Sequence, residues 1–279
     1  MRNITRQQQT CQEVQEAFAR IDSDAVVLHT DLFRIRFVQR GIPLQQQLAD
    51  LFQILAEASA GRTLMFPTFN YDFCRTRVYD PLVDPCQVGT LNEYVRQLYP
   101  GQRTLTPIFN FCIYNNRTFS LEPVENPFSE ASTFAELAKH GAAVVFFGAS
   151  FGANTFVHYV EEVIDVGYRY LKPFPGLIRR DDTEQQIAFR YRVRPLIEGA
   201  VDYDWNRLAL DLLDNGVLHQ SLLGSGKLLW FRADRLLEDW CMRLENDELY
   251  LLSATSRKKT QELYAQYGIP LRYEAVEHP

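Results

Sequence analysis

A chain of 279 residues, 46% hydrophobic and 23% charged, is long enough to bury a substantial core and has the balance of an ordinary globular protein, not of a disordered or low-complexity one. Its net charge of −6 argues against a partner held through phosphate contacts, so no nucleic acid is expected. The polar start "MRNITRQQQTCQEVQEAF" has no apolar signal region, and no run approaches the ~18 apolar residues of a membrane span, so neither secretion nor membrane insertion is expected.

In chain order, a helix is predicted over 7–20. "AVVLHT" (25–30) reads as a buried strand of small and branched residues. Pro43 opens a helix at its first position, and Leu44, Leu48, Leu51, Phe52 and Leu55 then share one face. After Gly61, "RTLMFPTFN" reads as a second strand ending at Pro67. Thr90 is placed to cap "LNEYVRQLY". "ASTFAELAKHG" reads as a helix closed by Gly141, "AAVVFFG" as a third strand, and "NTFVHYVEEVI" as the helix after it. "QIAFRYRV" alternates as a half-exposed strand, and "YDWNRLALDLLDNG" is a helix ending at Asn-Gly. "KLLWF" and "ADRLLEDWCMRL" repeat the strand–helix order. Such alternation predicts a layered α/β fold with a mainly parallel central sheet, in one domain over 1–279. Segments 66–90 and 168–186 are expected to wall a site.

Five scattered cysteines without C-x-x-C spacing (Cys11, Cys74, Cys86, Cys112, Cys241) suit neither a zinc nor a disulfide framework. Reduced thiols in a cytoplasmic protein and no metal are expected. The richest stretch for chemistry is "GASFGANTFVHYVEE" (148–162). Gly148-Ala149-Ser150-Phe151-Gly152 fits the G-x-S-x-G turn that presents a hydrolase serine. Only His219 and His278 follow as partners downstream of His158, and no His-Gly-Gly-Gly-type loop precedes. Ser150 is therefore either a nucleophile or plain turn material.

His158 and Glu161 stand at i and i+3 near a helix start and share a face. The pair suits a general base oriented by a carboxylate, or equally a surface ion pair. "VVLHTDLFRIRF" (26–37) runs from a strand into His29-Thr30-Asp31. There Thr30 or Asp31 can cap a helix facing a phosphate, with Arg34 and Arg36 as counter-charge. Gly224-Ser225-Gly226-Lys227 is no P-loop, since Ser221 stands where its first glycine belongs and no Ser/Thr follows the lysine.

Taken together and in order, these stretches resemble the aminoglycoside 3-N-acetyltransferase family. "VVLHTD", "GRTLMFPTFNYDFC", "VGTLNEYVRQ", "RTLTPIFNF", "NPFSEASTFAEL", "VVFFGASFGANTFVHYVEE" and "GSGKLLWFRADRLLEDW" carry the similarity through nearly the whole chain. The resemblance implies that family's α/β/α layers and an acetyl-CoA-dependent transfer to the amino group of a small molecule. By position, His158 and Glu161 match its catalytic pair. His29, Thr30 and Asp31 match a segment that meets CoA, and Arg103, Thr104 and Asn110 fall in a second CoA-facing stretch. Thr155, or backbone N–H groups beside it, is expected to steady the oxyanion.

The chain departs from many members in carrying Thr106-Pro107 for His-Pro and Asn110 for Ser. Arg169, Lys172, Arg179 and Arg180 form either a basic wall or a solvated face. A basic wall suits an anionic, nucleotide-linked amino sugar of a polysaccharide pathway better than a polycationic aminoglycoside. Aminoglycoside resistance and a Ser150 hydrolase are the alternatives. The oligomeric state stays open, a homodimer among the options.

Overall fold

Two stretches of small, branched and aromatic residues, 25–30 and 143–147, are apolar on both faces, and the fold buries both faces. The computed structural model describes residues 6–35, 39–180, 183–224 and 226–277. It begins with α1 (Arg6–Phe18), β1 (Ala25–Thr30), α2 (Leu44–Ala58), β2 (Thr63–Pro67), α3 (Phe73–Thr76) and β3 (Val78–Tyr79). These are followed by α4 (Thr90–Leu98), β4 (Phe111–Tyr114), α5 (Thr133–Lys139), β5 (Ala143–Phe147) and α6 (Val157–Ile164). Strands β6 (Tyr170–Pro173), β7 (Gly176–Arg180), β8 (Thr183–Ile187) and β9 (Arg190–Val193) come next. The chain closes with α7 (Trp205–Asp214), β10 (His219–Leu223), β11 (Gly226–Arg232), α8 (Ala233–Asn246), α9 (Ala254–Tyr267) and α10 (Tyr273–Glu277).

The main sheet has six strands in the order β10-β11-β5-β1-β2-β4. β5, β1 and β2 pair in parallel, while β4 and β11 flank them antiparallel and β10 turns back again. The sheet therefore has a parallel centre, with β10 also running in the central direction. Strand alternation divides the core in two. Val26, Leu28, Val145 and Phe147 face a core closed by α1, α2 and α4. Val27, Val144 and Phe146 face a larger one closed by α5, α6, α7, α8 and α9, with Trp240 wholly buried in it. These are the expected α/β/α layers.

Several local expectations shift. Pro43 is the N-cap of α2 and not its first residue. Thr90 is the first residue of α4 and caps nothing. The cap is Gly89, at φ 112, where a Cβ would stand 3.2 Å from Thr30 Oγ1. Segment 186–193 divides into β8 and β9, which belong to two different small sheets, β3-β7-β8 and β6-β9. Most of 168–186 is likewise strand and not loop, because these short strands pair outside the main sheet. No helix among the described residues is long and apolar enough to cross a membrane.

The crossover through α2 covers one face of the sheet and leads from β1 to β2. The later route through α5 covers the other face and brings β5 to the opposite side of β1. The carboxyl ends of β1 and β5 thus meet at a topological switch point, where open α/β sheets form their clefts.

Candidate active site

The turn leaving β5 is built on glycine. Gly148 has φ +71, and a Cβ there would lie 2.5 Å from Ile35 Cγ2 and 2.6 Å from the Asp31 carbonyl oxygen. Ser150 Oγ accepts a hydrogen bond from Gly152 N at 3.2 Å and caps a 3-10 turn over Phe151–Ala153. This turn delays the helix, so α6 begins at Val157 and not at Asn154. His158 falls in its first turn, and Glu161 lies one turn on.

The pair meets as the spacing predicts. His158 Nδ1 lies 2.9 Å from Glu161 Oε2. The histidine side chain keeps 26% of its exposure and the glutamate 1%, so the imidazole is the member that meets the cleft. Glu161 is held from three further directions. Tyr168 Oη donates to Oε1 at 2.9 Å and Tyr203 Oη donates to it at 2.7 Å. Arg169 Nε lies 2.7 Å from Oε2 as an ion pair, off the line of a hydrogen bond. Burial alone would raise the Glu161 pKa, but Arg169, the His158 bond and the Tyr203 hydroxyl pull it down to about 2.

Burial, and then the Arg169 charge, push the His158 pKa below its usual value against the opposing pull of Glu161. Burial raises Tyr168 and Tyr203 well above the usual phenol range, so both remain donors. The result is an ionised carboxylate that can only accept, beside a neutral imidazole. The proton of that imidazole therefore belongs on Nδ1, leaving Nε2 as a proton acceptor. Phe128, with its ring 5.5 Å from that of His158, packs against the imidazole.

The cleft has two lobes. The larger, about 870 Å³, is lined by Asn154, Thr155, His158, Arg169, Tyr203 and a set of aromatic rings. The smaller, about 360 Å³, is lined by His29, Thr30, Asp31, Arg34, Gly89, Thr90 and Ser150. His29, Val88 and Ala153 line both, so the lobes are continuous. His29 stacks on Phe146 at 5.3 Å, and burial lowers its pKa to about 4. Thr30 Oγ1 donates to Asn92 Oδ1 at 3.0 Å. Asp31 pairs with Arg34 at 3.1 Å. Residues 32–35 are turns and not the expected helix, with Asp31 Oδ1 accepting from Arg34 N. Arg36 lies outside the described residues. Thr155 lines the larger lobe, with its hydroxyl 3.5 Å from the Ala153 carbonyl oxygen.

The second stretch expected to face CoA lines neither lobe. Arg103, Thr104 and Asn110 are buried and turned into the protein. Arg103 donates to the Thr68, Pro81 and Asp84 carbonyl oxygens and to Asn110 Oδ1. Thr104 Oγ1 accepts from Phe111 N at 3.0 Å. Asn110 also accepts from Thr68 Oγ1 at 2.7 Å.

Of the four residues read as a basic wall or a solvated face, Arg169 and Lys172 line the larger lobe but are paired, Arg169 with Glu161 and Lys172 Nζ 2.6 Å from Glu277 Oε1. Arg179 and Arg180 are exposed on β7, and Arg179 pairs with Glu184 across the β7–β8 hairpin. Ser150 makes no hydrogen bond to a histidine among the described residues. His219 stacks on Trp230 in the main sheet, and His278 lies outside the described residues. Gly224 and Gly226 flank the β10–β11 hairpin turn, with Ser225 outside the described residues.

Sequence reasoning missed Tyr168 and Tyr203 as partners of Glu161. No local spacing signals them, because Tyr203 reaches the carboxylate from 42 residues away.

The sequence model of a family described as aminoglycoside 3-N-acetyltransferase matches residues 27–243. No curated protein sequence matches the chain. Among solved structures, AAC-IIIb in binary complex with CoASH is 17% identical with a TM-score of 0.69, covering 87% of this chain and 97% of its own. Sisomicin-bound AAC-VIa is 17% identical with a TM-score of 0.65, covering 86% and 97%. YokD protein from Bacillus subtilis is 15% identical with a TM-score of 0.66, covering 86% and 99%. At these identities the likeness speaks to the fold.

Proposed function

Because the chain belongs to the aminoglycoside 3-N-acetyltransferase family, and is thereby an acetyl-CoA-dependent N-acetyltransferase, we propose that His158 is its general base and that Glu161 orients and charge-balances the imidazole. The observation that carries this reading is the 2.9 Å contact from Nδ1 to a carboxylate pinned on both oxygens. The contact fixes the ring and leaves Nε2 to take a proton from the attacking amine. Acetyl-CoA supplies the acetyl group as a thioester.

The smaller lobe fits the nucleotide end of that co-substrate. α4 opens there at Gly89 with no side-chain cap, so its first N–H groups are free to meet phosphate, while Arg34 is balanced by Asp31 in the same lobe. His29, with Val88 and Ala153, forms the passage from that lobe toward His158, and Thr30 and Asp31 wall the smaller lobe. Thr155 Oγ1, together with the backbone N–H groups at the start of α6, is assigned to the charge that develops on the carbonyl oxygen. The imidazolium then returns its proton to the departing thiolate. Cys74 lines the larger lobe, but its thiol faces the Tyr191 hydroxyl at 3.9 Å, which supports direct transfer over a cysteine-linked route.

For the acceptor we infer an amino group on an amino sugar. An aminoglycoside is the second reading, favoured by the family itself. The pairing of Lys172 and Arg169 removes the charge argument for a nucleotide-linked acceptor.

The test is His158→Ala. Its kcat should fall about 10²–10⁴-fold, the weight of positioned acid–base catalysis. Acetyl-CoA should still raise the Tm of the variant as it does for the parent, since the lost group moves a proton and does not hold the co-substrate. An unchanged kcat would refute the assignment.

A further inference from the structure

We propose that the larger lobe selects acceptors carrying a single amine on a sugar or aromatic ring and discriminates against polycations. This inference rests on the acetyl-transfer reading above. Among the described residues, three cations line the lobe: Arg169, Lys172 and Arg194. Each already has its carboxylate, with Glu161 2.7 Å from Arg169, Glu277 2.6 Å from Lys172 and Asp202 3.2 Å from Arg194. The carboxylates lining the lobe, Asp202 and Glu277, are two of these same partners. The lobe is thus balanced in charge before any substrate enters.

A polycation brings several ammonium groups that must shed water together. Each needs an opposite charge to offset that loss. Here it finds only carboxylates that Arg194 and Lys172 already hold, and it must break those pairs to use them. A single amine makes no such demand, because it can enter as the neutral base with its ammonium proton left in solvent and with no second charge to desolvate, and only the proton released as the C–N bond forms goes to His158.

The remaining wall suits a ring. Tyr71, Phe109, Phe174, Tyr191, Tyr203 and Trp205 line it, with Phe174 and Tyr191 stacked at 5.1 Å and Tyr203 against Trp205 at 4.8 Å. Phe174 is already covered, stacked on Tyr191 and with the Arg77 guanidinium 4.9 Å from its ring centre, and Tyr203 carries Arg169 at 5.9 Å, so Tyr71 and Trp205 are the rings left to take the apolar side of a hexose or an aryl ring. At the rim, Leu196 is 85% exposed and extends the apolar surface outward. The rejection of polycations is therefore built from two features. Useful carboxylates are withheld by their own arginine and lysine, and apolar rings stand where charge would be needed.

Release of CoA thiol is followed with glucosamine, an aminophenyl glycoside and kanamycin as acceptors, and equilibrium binding of the same three is measured without acetyl-CoA. The single amines should show kcat/KM at least about tenfold above kanamycin, a difference of about 1.4 kcal/mol. Arg194→Leu, at an exposed position, frees Asp202. It should move the kanamycin to glucosamine ratio of kcat/KM about two- to fivefold toward kanamycin, mainly through KM, the weight of a pair exposed on both sides. Higher kcat/KM or tighter binding for kanamycin in the parent protein, or a ratio unmoved in the variant, would overturn the selection. No thiol release with any amine, beside the expected order in binding, would instead overturn the acetyl-transfer reading and leave the selection standing.

Discussion

Arg103 and Arg169 are both nearly sealed from water, at 2% and 6% exposure, yet they are spent on opposite kinds of partner. Arg103 donates only to neutral oxygens, the carbonyls of Thr68, Pro81 and Asp84 and the side chains of Thr68 and Asn110. It ties the ends of β2 and the loop over 80–84 to the segment leading into β4. Arg169 instead faces an ionised carboxylate and a phenol that also touch His158. One buried cation holds chain together. The other sets the charge state of a proton acceptor. A buried arginine is thus no sign of function in itself, and the charge and neighbours of its acceptors decide what it does.

Removing each side chain separates the two cases, and the largest effect on folding belongs to Arg103. Arg103→Leu takes the donor from the carbonyl oxygens of Thr68, Pro81 and Asp84, while Asn110 Oδ1 keeps its bond from Thr68 Oγ1. Each orphaned group costs about 1–3 kcal/mol, and shared losses bring the total to about 3–5 kcal/mol. Urea unfolding should show the loss in the midpoint. The protein that remains folded should keep its acetyl-CoA thermal shift. If that shift disappears while stability is unchanged, Arg103 belongs to the site after all.

At the small end stands Ser150→Ala. It removes one hydrogen bond to Gly152 N from a 3-10 turn, worth about 1 kcal/mol of stability, and it should leave thiol release within about twofold of the parent, under 0.5 kcal/mol. Loss of nearly all activity in a folded Ser150→Ala protein would restore the serine as a nucleophile.

The same contrast explains what could be read from sequence. β1, β2 and β5 are legible as short continuous apolar runs buried on both faces, and α2 because its apolar residues repeat at the helical period. His158 and Glu161 are legible because three residues on a helix is a contact distance fixed by local geometry. Arg103 and Thr104 fit a family pattern from which Asn110 departs, and the burial of Arg103 depends on how the 80–84 loop folds against it, which no local spacing records. Arg169 reads as a free basic residue until Glu161 and Tyr203 meet it in three dimensions.

The edge strand β4 has only four residues, and β10 (HQSLL) is polar at three of its five, so neither offers the long apolar run that marks the central strands. α9 is polar almost all round, burying Ser256, Thr260 and Leu263, and so gives no amphipathic signal. Residues 186–193 alternate as one strand would, yet the chain changes sheets at Ala188 and Phe189. The turn that Ser150 caps moves the start of α6 three residues along, a shift within the ordinary uncertainty of helix ends.

The central claim is that a neutral His158, poised by Glu161 and Arg169, accepts the proton of the amine. The pH dependence of kcat/KM tests it most directly when measured for the parent and for Arg169→Met. The groups that face the imidazole are Glu161 from its own helix, Arg169 ahead of β6, and Tyr203 ahead of α7, with the Phe109 and Phe128 rings beside it.

Burial and Arg169 disfavour the imidazolium, so activity in the parent should persist below the usual imidazole range and fall only as pH drops through the lowered pKa of His158. Removing Arg169 takes away one of those two effects while the carboxylate that favours the cation remains, so the acidic limb should move to higher pH. A role for Arg169 in packing alone would lower the rate without moving that limb. An acidic limb at the same pH in both proteins, or a parent profile with no acidic limb at all, would contradict the account.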